Sequence, residues 1–66
     1  MRINAKKLDD AILKSGLIYK ELRALSHLSR QTIWRARYGL YKRPRANTVY
    51  RLAEALKVDV NDLLED

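Results

Sequence analysis

The chain has 66 residues and a formal net charge of +6, from 14 Lys and Arg against 8 Asp and Glu, with no cysteine and a single histidine. So short a chain makes one domain, buries only about 60% of the surface its unfolded form exposes, and has no disulfide, thiolate metal site or histidine cluster to brace it. No apolar run approaches the roughly 20 residues of a membrane span, and "MRINAKKLDD" holds none of signal-peptide length, so a cytoplasmic protein with no membrane partner is predicted.

Periodicity and capping residues predict five short helices. Asn4 is a good N-cap for a first helix that sets Leu8, Ala11 and Ile12 on one face and stops at Gly16, a residue free to adopt the left-handed conformation. A second helix runs from about Ile18 to Leu25, with Leu22 and Leu25 turned inward. Ser29 caps a third, which buries Ile33 and Ala36 and ends at Gly39. The segment "LYKRPR" is a loop, because Pro44 disfavours helix at Arg43 and brings no backbone donor. In "NTVYRLAEALKV" a fourth helix, capped by Asn47, aligns Val49, Leu52, Ala53 and Leu56. "DVNDLLED" predicts a short fifth, with Asp59 as N-cap and Leu63 and Leu64 as anchors. No stretch alternates with period two. The fold class is therefore all-α: a compact bundle of five short helices over residues 1–66, with a helix-turn-helix at about 18–38.

Charge is spread unevenly along this framework. Residues 1–19 carry +2, residues 20–51 carry +8 from nine Lys or Arg against Glu21 alone, and residues 52–66 carry −4. A basic middle with an acidic tail fits one surface built to face a polyanion and another kept away from it. With Ile33 and Ala36 inward, helical geometry puts Arg30, Gln31, Trp34, Arg35 and Tyr38 on the outward stripe of the third helix. Arg pairs bidentately with guanine O6 and N7, and Gln with adenine N6 and N7. Arg30, Gln31 and Arg35 are thus candidate base readers, Arg35 alternatively a phosphate contact. An ordinary solvated helix surface is the plainer account of the same polar residues.

A helix-turn-helix lays its second helix in the DNA major groove. Residues 17–39, "LIYKELRALSHLSRQTIWRARYG", resemble this motif as it occurs in the lambdoid phage repressors and Cro proteins. There a Leu-Ser-Gln start is followed by Glu-Leu-Ala, Gly-Val-Ser, Thr-Ile and a closing Gly; Leu17, Glu21, Leu22, Ser29, Thr32, Ile33 and Gly39 match in register without a gap. "KRPR" is similar to the phosphate-contacting loop of one branch of these proteins, and "NTVYRLAEALKVDVNDLL" to their last two helices. The resemblance implies a lambda repressor-like fold and a sequence-specific transcriptional regulator whose third helix reads double-stranded operator DNA. It assigns base readout to Ser29, Arg30, Gln31 and Arg35. Phosphate contact falls to Tyr19, Lys42, Arg43 and Arg45, with Arg43 or Arg45 entering the minor groove. Relatives bind palindromes as two-fold dimers, so a homodimer is implied as well. Pro44 would stiffen the docking loop.

Several positions depart from the family pattern. Its second helix opens with Ser and Gln, whereas this chain has Ile18, which cannot cap, and Tyr19, whose hydroxyl still donates to phosphate. Arg23 replaces the small Ala at the helix crossing and His27 the turn Gly, predicting a looser or shifted crossing and an exposed His27. Some relatives join the first and third helices by a buried Arg–Glu pair; here those positions are Ile12 and Arg37, and an outward Arg37 would strand no charge. Trp34 and Tyr38, with Tyr19 and Tyr41 as neighbours, fit contact with sugars or a thymine methyl, partial burial against the chain's own loop, or a protein partner, because aromatic and Arg side chains are enriched at interface hot spots. The second functional class is accordingly a protein-binding helix-turn-helix, such as an antirepressor that captures a repressor-type protein, or an antitoxin-like partner. Enzyme chemistry lacks its means. There is no cysteine, one histidine in a turn, no Gly-rich phosphate cradle, no metal or cofactor motif, and too little chain to enclose a pocket.

Overall fold

A computed structural model describes residues 2–65, in which four α-helices and a 3₁₀ turn follow one another: α1 Ala5–Ser15, α2 Tyr19–Ser26, α3 Arg30–Arg37, α4 Ala46–Leu56 and the turn Val60–Asp62. The expected bundle is present, with one difference at its end. "DVNDLLED" gives a single 3₁₀ turn rather than a fifth α-helix. Asp59 caps it as expected, its carboxylate accepting the N–H of Asn61 at 2.8 Å. The chain then straightens, so that Leu64 pairs antiparallel with Ile3. Leu63, which follows the turn, is fully buried.

Local chemistry explains most of the helix ends. The Asn4 side chain accepts the N–H of Lys7 at 3.1 Å, and Gly16 closes α1 at φ 73°. Ile18 offers α2 no side-chain cap, yet the Glu21 carboxylate reaches back to accept the Ile18 N–H at 3.1 Å, which supplies half of a capping box. Ser29 caps α3 by accepting the N–H of Thr32 at 3.1 Å. At the other end Gly39 turns left-handed at φ 74°, with Leu40 N–H donating to Arg35 O at 2.8 Å and Gly39 N–H to Ala36 O at 3.4 Å. These two bonds are a Schellman closure. For α4 the expected cap is displaced: Arg45, not Asn47, is the N-cap, and it provides no side-chain hydrogen bond. Pro44 is buried and sets the extended approach, so helical geometry is free to begin at Ala46 before Asn47 is reached.

Leu8, Leu22, Ile33, Val49, Leu52 and Leu63 form the centre of one core drawn from all four helices and from the residue just past the 3₁₀ turn. In α2 the buried partner of Leu22 is Ser26 rather than the expected Leu25, which is 56% exposed. The reason is angular: Tyr19 and Ser26 lie to one side of Leu22 on the helix, Leu25 to the other, and α2 turns the Tyr19/Ser26 side inward. The buried hydroxyl is satisfied, donating to Leu22 O at 2.6 Å and accepting from Leu28 N–H at 3.3 Å. A small residue there lets the chain turn sharply into α3. In a domain this small, whose total stability is on the order of 3–10 kcal/mol, truncating one such core residue costs roughly 2–5 kcal/mol.

His27 and Lys57 end α2 and α4 in the left-handed conformation, at φ 58° and 57°. His27 is exposed, as expected, and its N–H donates to Arg23 O at 2.9 Å, so the turn is hydrogen-bonded in spite of its side chain. A β-carbon at such a φ costs roughly 1–2 kcal/mol, partly offset because glycine loses more freedom on folding. His27→Gly is therefore expected to stabilise the domain by about 0.5–1 kcal/mol and to raise the melting temperature by several degrees. A thermal melt followed by circular dichroism checks this; an unchanged or lower midpoint would show that the turn is not strained.

Candidate nucleic-acid interface

The geometry of α3 follows from two side chains. Ile33 is 0% and Ala36 1% exposed, which fixes the rotation of the helix about its axis. Arg30, Gln31, Trp34, Arg35 and Tyr38 consequently face outward and are all exposed, as the periodicity predicts. Among the described residues, neither Arg30, Gln31 nor Arg35 spends its side chain on an internal ion pair or hydrogen bond. Ser29 is exposed at the start of this stripe, but its hydroxyl is engaged: it accepts from Thr32 N–H and lies 2.9 Å from the Thr32 hydroxyl. What remains for a ligand is one hydroxyl hydrogen or lone pair.

Trp34 and Tyr38, one turn apart, are 47% and 57% exposed, with ring centroids 5.2 Å apart and planes tilted by 49°. The contact restricts both rotamers while leaving a joint apolar face to solvent. Trp34 is thus partly covered, with Tyr38 as one ring neighbour.

Arg37 departs from expectation. Its side chain is 21% exposed and points not outward but across to α1 and α2. Nε donates to Asp9 Oδ1 at 2.7 Å, and Nη1 donates to the Tyr19 hydroxyl at 3.4 Å. The guanidinium carbon also stands 5.6 Å from the Tyr19 ring centroid and 6.0 Å from that of Tyr38. The hydrogen bond to Tyr19, then that to Asp9, holds this guanidinium above its already high ordinary pKa, so it is charged at every pH at which the protein folds. Ile12, at the other of the two positions expected to match that pair, is buried and apolar, and Asp9, one turn earlier on α1, supplies a carboxylate to Arg37. Sequence spacing gives no sign of a contact between residues 28 apart.

Tyr19 is half-buried and packs on the core, its oxygen accepting from Arg37 while its own O–H stays available to donate. Lys42, Arg43 and Arg45 are exposed on the loop between α3 and α4, tied down by buried Pro44 and by Tyr41, which packs against the core. The uncapped start of α4 lies directly after this loop. Tyr19, the first residue of α2, thus meets α3 at Arg37, and the basic loop follows α3 directly in the chain. Arg2, to which sequence reasoning gave no role, lies beside that loop. Among the described residues no group of acidic, His or Cys side chains could hold a metal ion, and no helix is long and apolar enough to cross a membrane.

The profile of the family described as "Cro/C1-type HTH DNA-binding domain" matches residues 7–66. No curated protein was found to match the chain.

The tether between α1 and α3 is open to measurement. A double-mutant cycle of Asp9→Ala and Arg37→Ala is expected to give a favourable coupling of about 0.2–1 kcal/mol, shrinking as salt is raised, because Asp9 is substantially solvated. Arg37→Ala alone is expected to cost more than Asp9→Ala, since it also removes the contacts to both tyrosine rings. Additive single effects would mean that the ion pair contributes nothing.

Proposed function

The chain belongs to the Cro/C1-type HTH DNA-binding domain family, and we propose that it is a transcriptional regulator which reads operator DNA by laying α3 in the major groove. The observation that carries this reading is the unengaged state of Arg30, Gln31 and Arg35 on the side of α3 opposite its buried residues. Their forked donors and the Gln amide suit the edges of guanine and adenine, and Ser29 adds a hydroxyl at the end of the helix that enters first. Lys42, Arg43 and Arg45, with the Tyr19 O–H, hold backbone phosphates on either side and set the register. One chain reads one half-site, and a pair of chains related by a two-fold axis would read a palindrome.

A second reading has its own observation in the exposed Trp34–Tyr38 pair. So large an apolar surface beside two arginines also suits capture of a protein, and a repressor-type partner would make the chain an antirepressor.

Two expected outcomes separate these readings. Gln31→Ala should cost roughly 1–3 kcal/mol on the preferred duplex, selected from random sequence, and little on non-specific DNA; equal losses on both would show that Gln31 reads nothing. Trp34, the only tryptophan, should emit as a solvated indole in the free protein, and Trp34→Ala should shift stability by no more than about 0.5 kcal/mol while weakening the functional complex by about 2 kcal/mol. A fluorescence shift on adding operator duplex favours the regulator, whereas a shift only with a second protein, and none with DNA at low salt, favours the antirepressor.

A further inference from the structure

Arg2 precedes α1 and lies outside the residues matched by the family profile. Its position is set by a long-range pairing. Ile3 bridges to Leu64, the Asn4 N–H donates to Leu63 O at 2.8 Å, and the Glu65 N–H donates to Arg2 O at 3.0 Å. Extended chain alternates its side chains, so with Ile3 sunk into the core the side chain of Arg2 is turned the other way and is exposed. It meets the basic loop there. Arg2, Lys42, Arg43 and Pro44 line one open concavity, whose floor is held by the buried ring of Pro44.

Three cations share this concavity. Among the described residues the Arg2 side chain forms no ion pair or hydrogen bond. Glu65 lines an adjoining hollow together with Arg2 and Lys42, but does not come within ion-pairing distance of either. Like charges brought together without a counterion repel one another, and an anion placed between them relieves that repulsion while keeping its own partial hydration. The concavity belongs to the loop that directly follows α3, and Gly39, which ends that helix, lines the adjoining hollow. A duplex seated on α3 would run its sugar-phosphate backbone past this point.

We propose that Arg2 is a further backbone-contacting residue, which with Lys42 and Arg43 clamps a phosphodiester of the duplex beside the half-site. The inference rests on the operator-binding reading. It adds to that reading a contact supplied by the segment ahead of α1 and held in place by the Ile3–Leu64 bridge. The clamp recognises phosphate and carries no base information. Its contribution is to affinity and register.

The experiment is a duplex titration over a range of salt concentrations with the intact chain, on the selected duplex and on a random one. Each phosphate neutralised contributes about 0.9 to the slope of log affinity against log salt. Arg2→Ala is expected to lower the magnitude of that slope by about 0.9 on both duplexes, matching Arg43→Ala, whereas Arg2→Lys keeps it. Lys57→Ala removes the same charge at the far end of α4, about 16 Å along the helix and beyond a Debye length at ordinary salt, and is expected to leave the slope unchanged. Circular dichroism melts establish that each variant is folded, the Arg2 carbonyl that accepts from Glu65 being retained in all of them. An Arg2→Ala slope equal to that of wild type or of Lys57→Ala, with Arg43→Ala reduced, overturns the clamp and leaves the regulator standing. A wild-type chain without duplex affinity at low salt overturns the operator reading, and the clamp with it.

Discussion

What α3 turns outward depends on the burial of Ile33 and Ala36. They are the only two fully buried side chains of an eight-residue helix, and consecutive residues stand about 100° apart around its axis. A rotation by one residue would bring Trp34 into the core and set Ile33 among the arginines. The fold prevents this at several points. Ser29 fixes the start of α3, the left-handed Gly39 fixes its end, and Arg37 ties its flank to Asp9 on α1 and Tyr19 on α2. None of these contacts is strong singly; together they leave one orientation.

The arginines of the basic middle consequently serve different ends despite identical chemistry. Arg37 is spent on the scaffold, with its guanidinium between two tyrosine rings and a carboxylate. Arg30 and Arg35, seven and two positions earlier on the same helix, keep all their donors for something outside. A planar fork suits both tasks, because it can satisfy a carboxylate and stack on an aromatic face, or address a base edge bidentately. Position relative to the core, rather than residue type, decides which it does.

That distinction also governs what can be read from the sequence. The caps at Asn4 and Ser29, the stops at Gly16 and Gly39, and the inward faces of α1, α3 and α4 are set by residues within a turn or two of one another, and they are legible there. So is the outward stripe of α3, although what it contacts is not. Leu25 was misplaced because periodicity alone accepts either neighbour of Leu22; only the packing of the tight turn selects Ser26. Asn47 has the chemistry of a cap, but the fixed approach through Pro44 starts the helix earlier. Arg37, and with it Asp9, was illegible for a simpler reason: its partners come from two other helices, and a charge with no local partner reads as a solvated one. Arg2 is hidden in the same way, since its neighbours on the loop are contributed from the opposite half of the chain.

The pairing of Ile3 with Leu64, with the hydrogen bonds beside it, joins the two ends of the described chain. α2, its turn and α3 are built from residues close in sequence, whose loops close at small entropic cost, whereas the bridge must close nearly the whole described chain. Backbone bonds from Asn4 N–H to Leu63 O and from Glu65 N–H to Arg2 O flank it, and Lys7 Nζ donates to Leu64 O. α3 is thus positioned by residues near it in sequence and by its contacts to α1 and α2, whereas the arm that carries Arg2 is positioned by the other end of the described chain, so what stands beside the basic loop is decided by a pairing that no local signal specifies.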